Sequence, residues 1–254
     1  MTELSRADAP RTGSRQYHIA LERGELAEYV LLVGDPGRVA KVAARFDAVT
    51  LERSNREITT ATGTFRGMPL SVMSTGMGTD NVEIVLAEVI EISDHPTFIR
   101  VGSSGALQPE IALGDLVISI GAAACRRLGF AHHVGLTATA SGFYAPQGRA
   151  MRTLPVRYPE LAEELRRQRV ANLEMESSAL FVLAGLAGLR SGTICAAYAQ
   201  RTDGTFLEGA AKEAAEARCI DAGLAGIHLL WEIDSGTRAD PIAQWSSEIE
   251  GQSG

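Results

Sequence analysis

The chain has 254 residues, of which 45% are hydrophobic and 22% are charged, so a wholly disordered chain is excluded. Its longest uncharged apolar run, Ala179 to Leu189, has 11 residues and is too short for a membrane span, which needs about 20. The formal net charge of −7 excludes a general attraction to nucleic acid or to anionic membranes.

Compartment and chain ends are predicted from the same composition. The three cysteines are widely spaced and form no Cys-x-x-Cys motif, which favours a reducing, cytoplasmic compartment without disulfides. Neither the histidines nor the cysteines have the spacing of a transition-metal site. Residues 1–16 and 235–254 are polar and lack periodicity, so we expect two mobile tails around one folded domain over residues 17–234.

Between these tails, short apolar runs alternate with helical patterns along the chain. The pattern predicts strands at 29–34, 57–65, 69–74, 97–102, 115–121, 132–139 and 193–200, and helices at 38–46, 81–92, 174–189 and 207–233. The alternation predicts a single α/β domain with a central mixed β-sheet flanked by helices. Glycines follow several of the predicted strands. Because ligands of α/β sheets bind at the carboxyl ends of strands, we expect one composite pocket there.

Three motifs at these strand ends carry the predicted chemistry. Gly34-Asp35-Pro36-Gly37-Arg38 joins a strand to a helix, where backbone amides and a guanidinium favour an anion; alternatively it is only a tight turn. Arg100 lies inside an apolar run and is costly to bury unless it meets an anion or a carboxylate, such as Glu57 or Glu83. Glu174-Met175-Glu176 begins a helix, where the acids either cap it or accept bonds from ribose hydroxyls.

Taken in order, five segments of the chain resemble the uridine phosphorylases of the nucleoside phosphorylase family. The segments are GDPGR (34–38), STGMGTDN (74–81), RVGSSGALQP (100–109), GFYAPQGR (142–149) and NLEMES (172–177). The resemblance runs from about Tyr17 to Ile233. It implies the nucleoside phosphorylase fold, a hexamer built from dimers, and reversible cleavage of uridine by inorganic phosphate. It implies no required cofactor.

The resemblance also implies a role for individual residues. The phosphate contacts would be Gly34, Arg38, Arg100 and Ser103, with Arg56 reaching the phosphate of a neighbouring subunit. The ribose contacts would be Met175 and Glu176, with His18 crossing the same interface. The base contacts would be Phe143, Gln147, Arg149 and Arg201. Arg38, Arg100, Glu176 and Arg201 would form the catalytic set, and Glu57 and Asn81 lie where some relatives hold a potassium ion between subunits.

One stretch departs from the family pattern. After the strand ending at Gly121 the family has a further loop and helix, whereas here only a few alanines precede Cys125. Either the protein lacks this stretch or the sequence omits it. We favour an omission, because a buried strand does not normally run straight into the last turn of a helix.

Two other classes of function are compatible with these motifs. One is a purine nucleoside phosphorylase or a hydrolytic nucleosidase on the same fold, for which Asp203 is the only acid near the position that protonates a purine. The other is a non-catalytic nucleoside-binding relative that has lost the missing stretch. A uridine-specific pocket is favoured because Gln147 can both donate to and accept from uracil, while the guanidiniums of Arg149 and Arg201 can only donate.

Overall fold

The computed structural model describes residues 10–118, 122–153 and 155–238. The two tails predicted at 1–16 and 235–254 therefore lie partly outside the described residues, and their mobility stays a prediction. Within the first of them, Arg11–Thr12 (β1) pairs with Arg15–Gln16 (β2) as a short antiparallel hairpin.

The remaining regular structure of the described residues is ten strands, six α-helices and one 3-10 helix, Ala145–Gln147. The strands are β3 (Tyr29–Val33), β4 (Ala48–Asn55), β5 (Ile58–Phe65), β6 (Met68–Ser74), β7 (Thr97–Ala106), β8 (Leu116–Ile118), β9 (His132–Val134), β10 (Leu136–Thr139), β11 (Val170–Glu174) and β12 (Ser191–Gln200). The helices are α1 (Pro36–Ala43), α2 (Thr79–Ile92), α3 (Ala122–Leu128), α4 (Leu161–Arg167), α5 (Ser177–Leu186) and α6 (Gly209–Asp234).

The ten strands form one mixed sheet, which confirms the predicted single α/β domain. Its main path runs β4-β5-β6-β3-β7-β12-β8-β9, and β11 pairs with both β7 and β10. The central strands β6, β3, β7 and β12 are parallel to one another. Their carboxyl ends therefore meet at one edge of the sheet, where the predicted glycine-rich segments follow β3, β6 and β7.

Helices cover both faces of this sheet. Leu31 and Val33 face a core that includes residues of α1, α3 and α6. Val30 and Leu32, which alternate with them along β3, face a second core that includes residues of α2 and α5. All four side chains are at most 1% exposed. A central strand buried on both faces explains why Tyr29–Val33 is a continuous apolar run and not an alternating one.

Several predicted elements differ from the observed ones. The strand predicted at 132–139 is two strands, β9 and β10, which pair with β8 and β11 respectively. The strand predicted at 115–121 is described only as β8, because residues 119–121 lie outside the described residues. β4, α4 and β11 were not predicted, whereas α3 lies where the family resemblance implied the end of a helix. The long last helix, predicted from about Leu207, begins at Gly209.

No helix among the described residues is long and apolar enough to cross a membrane. Cys125, Cys195 and Cys219 are all free and buried.

Candidate active site

A pocket of about 630 Å³ lies at the carboxyl-terminal edge of the central parallel strands. It brings together most of the site residues predicted from the sequence, although they come from nearly every part of the chain. These are Gly34, Arg38, Glu57, Asn81, Arg100, Ser103, Phe143, Gln147, Arg149, Met175 and Glu176. The other three predicted residues, His18, Arg56 and Arg201, do not line this pocket.

At one end of the pocket, α1 presents the buried guanidinium of Arg38. Asp35 caps this helix by accepting a hydrogen bond from the Gly37 amide at 2.9 Å, and Pro36 is its first residue. This local structure fixes Arg38 in the first turn of α1. Arg38 donates from Nε to Glu216 Oε1 at 2.7 Å and from Nη1 to the Val101 carbonyl at 3.0 Å. Burial is the largest single influence and lowers the pKa of Arg38, but the hydrogen bond to Glu216 and the electrostatic interactions with Tyr198, Glu216 and Cys219 together outweigh it, and the pKa is raised.

The second buried guanidinium at this end is Arg100 on β7. It forms ion pairs with Glu176 and, at 3.3 Å, with Glu174, so the carboxylates that compensate it come from the third motif and are not Glu57 or Glu83. Its guanidinium folds back over its own strand, where a Cβ on Gly102 would lie 2.1 Å from Nη1. A side chain at that position would therefore displace the Arg100 guanidinium from its ion pairs. Burial opposes the charge of Arg100, but the acids and the Cys195 sulfur nearby keep its pKa above the ordinary value.

The two carboxylates of the third motif have different roles. Glu174 accepts hydrogen bonds from the backbone amides of Glu176 and Ser177, each at 2.9 Å, and from the Thr139 hydroxyl at 2.6 Å. Glu174 therefore caps the backbone amides at the start of α5, which was one of the two roles predicted for these acids. Glu176 makes no capping bond to α5. Its carboxylate lines the pocket, where it accepts from the Gly78 amide at 2.7 Å and pairs with Arg100.

Around Phe143 and Gln147, two guanidiniums lie close together. Arg149 stacks over the Phe143 ring, with its central carbon 3.9 Å from the ring centroid, and donates to the side-chain oxygen of Gln147. Arg201 lies behind this layer and donates to the Gln147 carbonyl at 2.9 Å. Among the described residues, no carboxylate pairs with either guanidinium. Burial, and then the charge of Arg201, lower the pKa of Arg149 to about 10; burial also lowers the pKa of Arg201.

Arg201 has one further property that its sequence context did not reveal. Its Nη1 is buried without a hydrogen-bond partner. Arg201 forms no ion pair with Asp203 or Glu208, the acids nearest to it among the described residues of this loop. Asp203 instead accepts from the backbone amide and hydroxyl of Thr205 at 2.9 and 2.6 Å.

His18 and Arg56 lie on an outer surface next to Tyr17. Arg56 is exposed and donates to the Tyr17 hydroxyl at 3.1 Å, and its backbone has a φ of 54°, which is unusual for a residue other than glycine. His18 is half-buried, with Nδ1 2.7 Å from Glu88 Oε1. Neither residue reaches the pocket of its own chain, so a role at the site requires a second subunit.

Tyr198 and Phe206 line the pocket but were not predicted. The pairing of β12 with β7 shifts register between Ala197 and Ala199, so Tyr198 lies in a bulge. Bulges next to sites re-aim a side chain. Burial raises the pKa of Tyr198 to about 12 despite the Arg38 charge beside it, so the phenol stays protonated at neutral pH. The sequence signal that could have revealed Tyr198 is that it is the one aromatic residue among the small residues of TICAAYAQ (193–200).

Glu57, Asn81 and Met77 line an outer edge of the same pocket. The Asn81 amide donates from Nδ2 to the Met77 carbonyl at 3.2 Å. The Glu57 carboxylate is exposed. This edge therefore offers a carboxylate and a carbonyl oxygen, which are ligands that suit a hard cation.

Comparison with known proteins identifies relatives of this chain. A family described as the Phosphorylase superfamily matches residues 28–124 and 121–223. A protein of Thermococcus kodakarensis named uridine phosphorylase is 38% identical, with 82% of this chain and 86% of the relative covered. One of Treponema pallidum with the same name is 33% identical, with 74% of this chain and 83% of the relative covered.

A solved structure gives a similar result. A nucleoside phosphorylase of Trypanosoma brucei, described as showing uridine phosphorylase activity, superimposes with a TM-score of 0.80 at 26% identity. The superposition covers 87% of this chain and 99% of the other.

These comparisons also bear on the shortened connection after β8. The two family matches meet at residues 121–124, where the sequence departs from the family pattern. The alignment to the Thermococcus protein has 240 positions. The 82% of this chain that takes part in it supplies fewer than 240 residues, so some positions of the relative are aligned to gaps. The relative therefore has positions that this sequence lacks.

Proposed function

Since this chain belongs to the Phosphorylase superfamily, we propose that it catalyses the reversible phosphorolysis of uridine to uracil and ribose 1-phosphate. One observation carries the proposal: a single pocket is lined by the buried, positioned guanidiniums of Arg38 and Arg100 and also by Arg149, which pairs with no described carboxylate and has Arg201 behind it. The first pair suits an oxyanion, and Arg149 with Arg201 suits a base that leaves with negative charge on its oxygens. The names of the two curated relatives support the same substrate.

In this proposal, phosphate binds between Arg38 and Arg100, with the Gly34 backbone and the Ser103 hydroxyl beside it. The protein carries a net charge of −7, so the attraction for phosphate is local to these guanidiniums. Preorganised donors of this kind hold a nucleophile next to the reacting carbon and avoid reorganisation during the reaction.

Glu176 and Met175 would hold the ribose. In the structure without substrates, Glu176 pairs with Arg100. Phosphate at Arg100 competes for the same donors, and a carboxylate that loses part of this ion pair can accept hydrogen bonds from ribose hydroxyls. Met175 packs against the apolar face of the sugar. As the bond to the base breaks, positive charge develops on the ribose ring next to the Glu176 carboxylate.

Phe143, Gln147, Arg149 and Arg201 would bind uracil. Guanidiniums can only donate, so they match the uracil carbonyl oxygens, on which charge accumulates as the base leaves. Cytosine has an amino group in place of one of these oxygens and would face donors with a donor. Unpaired buried polar groups cost more than a missing methylene, so cytidine is expected to be a poor substrate.

The site would be completed by a second subunit. Arg56 and His18 lie on the outer surface of their own chain, which supports their contribution to a neighbour's phosphate and ribose. A dimer is therefore the smallest active unit, and a hexamer built from dimers is the assembly that the family resemblance implies. Potassium would bind at the edge formed by Glu57, Asn81 and the Met77 carbonyl, where it would supply a fixed positive charge between subunits.

The proposal also specifies the co-substrate, the need for a cofactor and the cellular location. Phosphate is a co-substrate, and the reaction as proposed requires no organic cofactor. A cytoplasmic location is supported by three unpaired, buried cysteines.

The proposal is tested by a spectrophotometric screen of uridine, thymidine, inosine and adenosine, each with and without phosphate. We expect uridine to be cleaved only when phosphate is present. Faster cleavage of inosine would assign the protein to the purine phosphorylases. Cleavage without phosphate would identify a nucleosidase, and nucleoside binding without cleavage would identify a binding protein.

A further inference from the structure

A buried carboxylate lies directly behind the Arg38 guanidinium, on a helix that the proposed reaction does not use. Glu216 is on α6, and its side chain is 11% exposed. Its Oε1 accepts from Arg38 Nε at 2.7 Å, and its Oε2 pairs with Lys41 Nζ. We propose that Glu216 is a positioning residue, which aims Arg38 at phosphate. This inference rests on the proposed function, in which Arg38 binds phosphate.

The hydrogen bonds of Arg38 show why its guanidinium needs partners that fix its orientation. An arginine side chain has many rotamers, and fixing one of them costs side-chain entropy. Glu216 accepts a hydrogen bond from Nε and the Val101 carbonyl accepts one from Nη1, so two nitrogens of the planar guanidinium are fixed. The plane of the group is then determined, and its remaining donors are available to the pocket that Arg38 lines. A guanidinium fixed in this way loses little entropy when phosphate binds.

Glu216 differs from the carboxylate that pairs with the other phosphate arginine. Glu176 lines the pocket and pairs with Arg100, so phosphate competes with it. Glu216 does not line the pocket. Phosphate therefore need not displace Glu216, which can hold Arg38 in both the empty and the occupied site.

The charge of Glu216 is compensated on its other side. By itself, a carboxylate beside Arg38 would oppose the binding of a phosphate anion. Lys41 on α1 binds the second oxygen of the same carboxylate, so the cluster of Arg38, Glu216 and Lys41 keeps a net charge of +1. The site keeps the charge of one free arginine and gains a fixed orientation.

The test compares three variants by the binding of inorganic phosphate, measured by calorimetry without a nucleoside. Glu216→Ala removes the holder, and we expect phosphate to bind at least about tenfold more weakly, the effect of one charge-assisted hydrogen bond. Glu216→Gln keeps an acceptor oxygen for Nε, so its affinity should stay within about threefold of the unmodified protein. Asp221→Asn is the matched control, because Asp221 is also on α6 and pairs with Arg45 in the turn directly after α1, at 2.6 Å, but does not contact Arg38.

A kinetic readout separates positioning from general damage to the fold. With uridine as substrate, Glu216→Ala should raise the KM for phosphate and leave the KM for uridine within about twofold. In an Arg38→Ala background, the same substitution should have no further effect on phosphate binding, because the residue acts only through Arg38.

Three results would overturn the proposal. These are unchanged or tighter phosphate binding in Glu216→Ala, an equal loss of phosphate binding in Asp221→Asn, and an additive effect in the Arg38→Ala background. If the unmodified protein binds phosphate but does not cleave uridine, the proposed substrate is wrong, while the calorimetric comparison still decides the role of Glu216.

Discussion

Substitution of Arg100 by Ala should damage the protein in two separable ways. The side chains of Arg100, Glu174 and Glu176 are 5%, 0% and 6% exposed, so removal of the arginine leaves two buried carboxylates without their cation. Breaking a buried ion pair in this way costs about 3 to 5 kcal/mol. Glu174 keeps its bonds from two backbone amides and a hydroxyl, so we expect the lower limit. About 3 kcal/mol corresponds to a fall in Tm of about 6 to 12 °C.

The same substitution should reduce catalysis, because Arg100 is one of the two guanidiniums assigned to phosphate. Loss of such a preorganised donor costs about 2 to 4 kcal/mol in the transition state, a fall in kcat/KM of about 30- to 1000-fold. The assay is uridine cleavage at varied phosphate concentration, at a temperature well below the Tm of the variant. The KM for phosphate should rise more than the KM for uridine.

A double substitution separates the two effects. Glu174→Gln removes one of the charges that Arg100→Ala leaves unpaired, so the double variant should recover part of the lost Tm. It should not recover phosphate affinity, because the guanidinium is still absent. The reasoning is refuted if Arg100→Ala keeps the phosphate KM of the unmodified protein, or if Glu174→Gln restores activity together with stability.

Three further predictions concern other parts of the site. Arg201→Ala should lower kcat/KM for uridine by about 10- to 100-fold and narrow the gap to cytidine, measured by parallel kinetics on both nucleosides; an unchanged ratio would contradict a role at uracil. Mixed assemblies of Arg56→Ala and Arg100→Ala subunits should regain activity through hybrid sites that contain both arginines, whereas an active monomer in sedimentation would exclude shared sites. Burial opposes the charge of Glu216, but bonds from Lys41 and Arg38 lower its pKa below 4.5. The Tm of the unmodified protein should therefore exceed that of Glu216→Gln above that pH, and the difference should disappear in acid. A difference in Tm that grows as the pH falls would contradict this prediction.

Local patterns predicted the elements that position the site. The apolar run at Tyr29–Val33 followed by Pro36 and Gly37 predicted a buried strand, a turn and a helix, because turn residues act within a few residues; the cap at Asp35 was not predicted. An arginine inside the apolar run of β7 predicted that Arg100 would meet an anion or a carboxylate. Both predictions depend on the chemistry of neighbouring residues, which the sequence displays directly.

Other features depend on contacts between distant parts of the chain and were not predicted. Arg100 pairs with Glu176, 76 residues away, and not with either acid considered from the sequence. The run at 132–139 breaks at Gly135, because its two halves pair with different strands, a choice that alternation alone does not encode. The bulge at Tyr198 arises from the register between β12 and β7, which no local pattern specifies.

The position of His18 and Arg56 shows a further limit of a single sequence. Their roles were inferred only from resemblance, and in one chain both lie outside the pocket. The reason is physical: a surface residue can complete a neighbour's site only through an assembly, whose geometry is not written in local periodicity. The mixed-subunit experiment is therefore the appropriate test of these two assignments.

The central claim, phosphorolysis of uridine, is tested most directly by measuring both products of one reaction. Uridine is incubated with the protein with and without inorganic phosphate, and uracil, ribose 1-phosphate and free ribose are quantified together. The account predicts equal amounts of uracil and ribose 1-phosphate with phosphate, and no uracil without it. Free ribose as the sugar product, or uracil release that does not depend on phosphate, would contradict it.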